Sequence, residues 1–219
     1  MITVNKKLQF IANLIHNANK VIDVGSDHAL LAVYLLTNKL CNHVYNLDIN
    51  LEPLNQGIKN CETHQVISQT TNLVSNGLEA IKEEINADYI VIAGMGGNNI
   101  IDIVSNIPNN VQWNNLILSP NNNVPKLRAF IHEQNWCISL ENVIEDNNTY
   151  YQVIVVNKSK GLKITNELEI YFGTYNLKYQ TENFKLLHTN RINHIKKNHL
   201  DQLNERYKKE LKLLYEVIK

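Results

Sequence analysis

At 219 residues, 44% of them hydrophobic, the chain can bury a full core and still extend an appendage, and no apolar run approaches the roughly 20 residues that would cross a bilayer. Its three cysteines, Cys41, Cys61 and Cys137, lie too far apart for a Cys-x-x-Cys metal or redox pair and read as reduced, buried thiols. The formal net charge of zero hides a segregation: from Lys158 onward 13 Lys and Arg face 7 Asp and Glu, and the preceding body holds the matching acidic excess, which suggests an anionic partner for the tail. A soluble, cytoplasmic, metal-free monomer without membrane contact is the expectation.

Apolar runs at 20–24, 43–48, 65–70, 89–93 and 115–119 alternate with helical patterns at 29–36, 53–61, 77–85 and 124–133. That alternation predicts βαβ units and a parallel sheet, with the crossover helices placed alternately on its two faces. Beyond the fifth run the pattern changes. Segments 137–145 and 150–157 flank Asp146-Asn147-Asn148-Thr149, a turn-forming string that predicts an antiparallel hairpin at the sheet edge. Five parallel strands and a closing hairpin give an α/β sheet of the class I methyltransferase, Rossmann-like type. Gly161 divides this body, residues 1–160, from a helical region, 161–219. There Leu200, Leu203, Tyr207, Leu211, Leu214 and Ile218 form one apolar stripe, and Phe184, Leu186, Leu187 and Ile195 a shorter one, so two helices can cover each other as in a coiled coil.

The strand ends carry the residues of chemical interest. Val21-Ile22-Asp23-Val24-Gly25 runs straight into a helix, where α/β enzymes seat a nucleotide-like cofactor and where a glycine permits close approach to the backbone. The sequel, Ser26-Asp27-His28-Ala29, lacks the second and third glycines of a dinucleotide fingerprint, so a pyrophosphate would meet Asp27. A phosphate-free cofactor with a positive centre, S-adenosylmethionine, suits Asp23 and Asp27 better. Ser26 or Asp27 as a helix cap, and His28 as a packing residue, are the structural alternatives. Asp48 ends the second strand where an acid accepts hydrogen bonds from ribose hydroxyls, and Ile49 adjoins it in the same cofactor set. Asn76-Gly77 either reads an adenine edge or makes an ordinary turn. Ala93-Gly94-Met95-Gly96-Gly97 supplies an open floor beside the cofactor, with Met95 able to pack on a ring and Gly97 on the substrate side. Ser119-Pro120-Asn121 closes the fifth strand, Pro120 fixing the backbone and the Asn121 carboxamide offering a donor and an acceptor to a base. Asp27 and Asn121 are the candidate catalytic groups, beside Met95 and Pro120. Lys196, Lys197, Lys208 and Lys209 are the candidate phosphate contacts of the tail, and His188, His194 and His199 are expected at solvent or RNA phosphate rather than metal. Trp113 and Trp136 read as core anchors.

Taken together, the strings 23–31, 93–97 and 119–121, followed by a helical tail, resemble the bacterial tRNA (adenine(22)-N1)-methyltransferase family over essentially the whole chain. The resemblance implies a Rossmann-like catalytic domain, S-adenosylmethionine as methyl donor, tRNA as partner, and a coiled-coil domain that helps hold the tRNA. Leu30 and Ala32 stand where the family has Tyr and Pro, Leu47-Asp48 where it has Gly-Glu, Asn76 for Asp and Ser119 for Gln. The alternatives are a methyltransferase for another nucleobase or a small molecule, a nucleotide-dependent oxidoreductase, and a non-catalytic RNA-binding module.

Overall fold

The computed structural model describes residues 2–199 and 205–218. Seven strands, β1 (Ala18–Val24), β2 (Cys41–Asp48), β3 (Thr70–Val74), β4 (Ile85–Ala93), β5 (Val111–Ser119), β6 (Cys137–Asp146) and β7 (Thr149–Asn157), form one sheet in the order 3-2-1-4-5-7-6. The first five are parallel, and β7 inserts antiparallel between β5 and β6. Asn147 and Asn148, at φ +50° and +62°, make the two-residue turn of that hairpin, because asparagine tolerates the left-handed region that a tight β-turn requires.

Helix α1 (Lys6–Ala12) precedes the sheet; α2 (Leu30–Thr37), α3 (Leu51–Thr63), α4 (Gly97–Ser105) and α5 (Val124–Glu133) connect its strands. The helices do not alternate between faces as expected. Leu31, Leu35 and Cys61, from α2 and α3, pack with Ile11 and Ile15 of the N-terminal segment against Val21, Val44, Val91 and Ile117. Ile100, Val104, Leu127 and Ile131, from α4 and α5, cover the opposite face over Ile22, Leu47, Ile90 and Leu116. Right-handed crossovers change side once, where the strand order reverses between β1 and β4, and that reversal opens a crevice above the strand ends.

Two sequence assignments move. The strand expected at 65–70 lies at Thr70–Val74, after a single 3-10 turn at Ile67–Gln69. The helix expected at 77–85, as the crossover into β4, is a turn that buries Leu78 and Ile81 before β4 begins at Ile85, and the crossover into β5 is carried by α4, which the pattern does not predict. All three thiols are free and buried, and Trp113 and Trp136 meet edge to face at 5.1 Å in the core.

Helices α6 (Glu167–Phe172), α7 (Thr174–Tyr179), α8 (Glu182–His199) and α9 (Glu205–Val217) follow. They share a small core, Phe172, Phe184, Ile192, Ile195, Leu214 and Val217, with Val143 of β6. Of the predicted stripes, Leu200 and Leu203 lie outside the described residues. Leu186 is exposed, and Ile192 and His188 take the buried positions on α8. His188 therefore contacts neither solvent nor phosphate: it packs edge-on to Phe172 and Phe184 at 5.0 and 4.6 Å, and burial lowers its pKa to about 4, helped by the nearby Arg128 charge.

Arg128 of α5 fastens the helical region to the sheet. Fully buried, it donates from Nε to Glu141 Oε1 (2.7 Å), from Nη2 to Gln152 Oε1 (2.8 Å) and from Nη1 to the Tyr171 carbonyl (3.0 Å). The other Glu141 oxygen accepts from the Tyr175 N–H and Thr174 Oγ1, so both ions have their hydrogen-bonding groups engaged. Among the described residues no helix is long and apolar enough to cross a membrane, and no cluster of three or more His, Cys, Asp or Glu side chains could hold a metal ion.

Candidate active site at the strand ends

β1 leaves the sheet through Gly25, at φ +73°, and the N–H groups of Gly25 and Ser26 both donate to the Leu47 carbonyl, at 2.8 and 3.1 Å. Asp27, His28 and Ala29 then follow at φ +26°, +61° and +53°. Three consecutive side-chain-bearing residues in the left-handed region carry a strain of order 1 kcal/mol or more each, which persists only if neighbours hold it. Helix α3 does so. Asn60 Nδ2 donates to the His28 carbonyl (2.9 Å), and Gly57 lets the backbone of α3 come so near that a Cβ there would stand 2.9 Å from Ala29 Cβ. Neither Ser26 nor Asp27 caps a helix with its side chain; Ser26 is buried, while Asp27 is exposed with Oδ1 3.3 Å from His28 Nε2.

Beneath this turn sit two buried acids. Asp23 pairs in register with Asn46, and Asp48 lies two residues beyond Asn46, so the strand period of two puts both carboxyls on one face. They are 6% and 8% exposed. Burial, reinforced by the charges of Asp48 and Asp27, raises the Asp23 pKa to about 7. Asp48 Oδ1 accepts the Asn50 N–H at 2.9 Å. Past the ends of β2 and β3, Ile49 and Val74 are 63% and 51% exposed, an apolar surface flanking Asp48. Asn76 is exposed and its amide donates to Glu79 Oε1 (3.2 Å), and Asn76 and Gly77 line a shallow depression against Asp102 and Ile103 of α4.

The opposite lip belongs to β4 and β5. Gly94, at φ +81°, donates to the Ser119 carbonyl (3.0 Å) and receives the Asn121 carboxamide on its own carbonyl (2.5 Å). The Asn121 N–H reaches the Met95 carbonyl at 2.8 Å, and the Gly97 N–H meets the Asn122 carbonyl at 3.2 Å. A side chain at Gly97 would stand 2.7 Å from that carbonyl oxygen, so this glycine is needed for the two loops to touch. Pro120 is buried and Asn121 exposed. A Cβ on Gly25 would collide with the Met95 terminal methyl, which places the two lips face to face.

The fold thus gathers Asp23, Gly25, Ser26, Asp27, His28, Asp48, Ile49, the loop Ala93–Gly97, Pro120 and Asn121 at one crevice, with Asn76 and Gly77 to one side. The four tail lysines lie elsewhere, on α8 and α9. Lys208 and Lys209 are exposed and paired to Glu205 (2.8 Å) and Glu167 (2.6 Å), Lys196 lies over the Tyr215 ring at 5.3 Å, and Lys197 is exposed. The sequence pattern does not single out Lys7 or Asn122, which lie beside the crevice, nor show that the Ser119 hydroxyl is buried with no hydrogen-bond partner among the described residues. Only the basic pair after the Asn5 cap gave any signal of the first. A groove of about 550 Å³ adjoins the crevice on the outer side of His28, lined by Leu51, Glu52 and Lys59 among others.

These features suit S-adenosylmethionine: buried acids for hydroxyls and positive charge, a glycine turn covered only by the flexible Met95 side chain, an exposed apolar surface for an aromatic ring, and no phosphate cradle. The strand order with its antiparallel β7 is that of the class I methyltransferases, and residues 4–154 match the family model described as a methyltransferase domain. A Mycoplasma genitalium protein that carries a tRNA methyltransferase name, MG248, is 33% identical over 172 residues, 75% of each chain. The tRNA (adenine(22)-N(1))-methyltransferase of Bacillus subtilis is 30% identical over 152 residues, 69% of this chain and 63% of the relative. The solved structure of M. capricolum TrmK with S-adenosylhomocysteine superposes with a TM-score of 0.84 at 33% identity, covering 99% of this chain and 95% of that one. The chain belongs to the tRNA (adenine(22)-N(1))-methyltransferase family, TrmK.

Proposed function

We infer that this protein is an S-adenosylmethionine-dependent tRNA methyltransferase acting on N1 of an adenosine, adenosine 22 by the name of its family. The observation that carries the reading is the facing of two lips: buried acids under Gly25 on one side, and the Gly94–Asn121 clasp beside Met95 on the other.

Bound there, S-adenosylmethionine supplies a methyl group made electrophilic by its sulfonium. Asp48, with one oxygen held by the Asn50 N–H, offers the other to ribose hydroxyls, and Ile49 and Val74 give a purine an apolar surface. Asp23 in its ionised form attracts a positive ligand. Adenine N1 carries a lone pair free at neutral pH, so the chain needs no strong base and contributes mainly alignment. Its Watson–Crick edge is otherwise paired, so the base must enter everted or from an unpaired loop. Asn121, anchored through both its N–H and its side-chain amide, keeps its carboxamide oxygen for the incoming base, and Asp27 faces the positive charge that builds on the ring. Helices from residue 161 onward serve as the tRNA-holding domain, with Lys196, Lys197, Lys208 and Lys209 meeting phosphates. A cytoplasmic monomer fits this role.

The test is incubation of the protein with methyl-labelled S-adenosylmethionine and unmodified tRNA, then nucleoside analysis. Label in 1-methyladenosine, absent when adenosine 22 is replaced by guanosine, is the expected result. Label in another base, or none, overturns the reading.

A further inference from the structure

Helix α1 is pinned to the crown of the sheet by its first turn. Asn5 Oδ1 accepts the Leu8 N–H (2.8 Å), Lys6 Nζ pairs with Glu145 Oε2 (2.9 Å), and the Lys7 N–H points to Asp146 Oδ2 at 3.5 Å. Glu145 also accepts the Asn148 N–H (2.8 Å), so the β6–β7 turn and the helix hold each other. Lys7 is thereby carried to the mouth of the crevice. Its stem is half-buried, its ammonium lies over the Tyr151 ring at 4.7 Å, and it stands 3.9 Å from the point a Cβ on Gly94 would occupy.

That ammonium has no carboxylate within ion-pair distance among the described residues, whereas its neighbour Lys6 has one. Burial pushes its pKa down, and only the longer-range charge of Asp146 opposes this. A half-buried cation costs stability unless something compensates it, and the ring of Tyr151 does so only in part. Its position near Gly94, the residue whose carbonyl accepts from Asn121, marks the acceptor side of the crevice rather than the cofactor side, where the acids are.

We propose that Lys7 is a substrate-positioning residue that binds a backbone phosphate flanking the target adenosine, so that the base enters against Met95 and Asn121 in register. This rests on the tRNA methyltransferase reading, in which the substrate brings its own anions into the crevice. The Tyr151 ring holds the end of the lysine side chain, and Gly94, lacking a Cβ, leaves space beside the ammonium. Lys7 thus reads the position of the strand, while the tail lysines supply general attraction.

The experiment compares wild type, Lys7→Met, which keeps the apolar stem on Tyr151, and Lys7→Arg, with tRNAs carrying one methylphosphonate on the 5′ or the 3′ side of adenosine 22. Lys7→Met is expected to weaken tRNA binding and raise the KM for tRNA by about tenfold or more, the loss of one charge-assisted hydrogen bond. It should lower the slope of log K against log salt by about 0.7–0.9, one phosphate. Calorimetric affinity for S-adenosylmethionine stays unchanged and Tm does not fall, and Lys7→Arg restores binding. One of the two methylphosphonates should weaken the wild type by the same factor yet leave Lys7→Met unaffected. Equal tRNA binding and salt slope in wild type and Lys7→Met overturn the proposal, as does a Lys7→Met defect confined to cofactor affinity. Because binding is titrated without donor, a wild type that binds tRNA but makes no 1-methyladenosine refutes the activity while the phosphate contact is still decided.

Discussion

At the scale of single residues the acids under Gly25 set a pH dependence. Asp23 has its folded pKa raised to about 7, above the ordinary carboxyl value, so its contribution to stability is present at low pH and is lost as pH rises through 7. Each unit of that displacement is worth about 1.4 kcal/mol, and each kcal/mol moves Tm by about 2–4 °C in a chain of this size. Asp23→Asn should therefore raise Tm at pH 8 by several degrees and flatten its dependence between pH 4 and pH 7, which differential scanning calorimetry would read. The same variant should bind S-adenosylmethionine more weakly at pH 8. In wild type, affinity for the sulfonium should rise between pH 6 and pH 8 more than affinity for the uncharged thioether S-adenosylhomocysteine; parallel curves would exclude Asp23 as the cation's partner. Across the crevice, Asn121→Ala removes the side-chain clasp on Gly94 and is expected to lower kcat by about 10–100-fold with a smaller change in KM, the pattern of a group that acts in the transition state. Gly25, Asp48 and Asn121 were legible from their places after apolar runs. Lys7 was not, because its significance lies in its approach to Gly94, 87 positions away in the chain.

Elements show where periodicity misleads. Leu78, Ile81 and Ile85 are spaced three and four apart, as on a helix, yet the segment is a turn whose first two apolar side chains plug the core before the third begins β4. Helix α4 starts with Gly-Asn-Asn and continues with β-branched Ile and Val, all poor intrinsic helix formers, so tertiary packing of Ile100 and Val104 decides it. β3 has no fully buried residue, being an edge strand, and shows no alternation to read. The strained turn 27–29 is braced by Gly57 and Asn60 of α3. Gly57→Ala would put a methyl against Ala29, so it should weaken cofactor binding through the turn while α3 itself gains helix propensity; unchanged affinity would show that the turn does not need the brace. The hinge between sheet and tail is the buried Arg128–Glu141 pair. Arg128→Met leaves an unpaired buried carboxylate and is expected to cost about 3–5 kcal/mol by chemical denaturation, most of it recovered in the double variant Arg128→Met, Glu141→Leu.

Over the whole molecule charge and shape are divided between two tasks. Before Lys158 the chain has an acidic excess, with Asp23, Asp27 and Asp48 at the crevice, and from Lys158 onward a basic excess, with Lys196, Lys197, Lys208 and Lys209 on α8 and α9. Affinity for tRNA should then fall steeply between 50 and 200 mM salt while affinity for S-adenosylmethionine changes little. Lys196→Glu with Lys197→Glu should weaken tRNA binding and leave cofactor affinity as in wild type. Lys208 and Lys209 already answer carboxylates, so their removal should matter less than that of Lys197, whose exposed ammonium has no ion pair among the described residues.

The sequence alone determined the strands β1, β2, β4 and β5 with the helices α2, α3 and α5, the closing hairpin with its Asn-Asn turn, and the glycine and acid positions at the strand ends, because each is written in local periodicity or in a residue's own backbone preference. Only the tertiary structure decided which acids are buried together, which face each helix covers, that His188 is core, and that Lys7 reaches the crevice. Burial, electrostatic coupling and long-range contact arise from distances between residues remote in the chain, and those distances exist only once the sheet has formed.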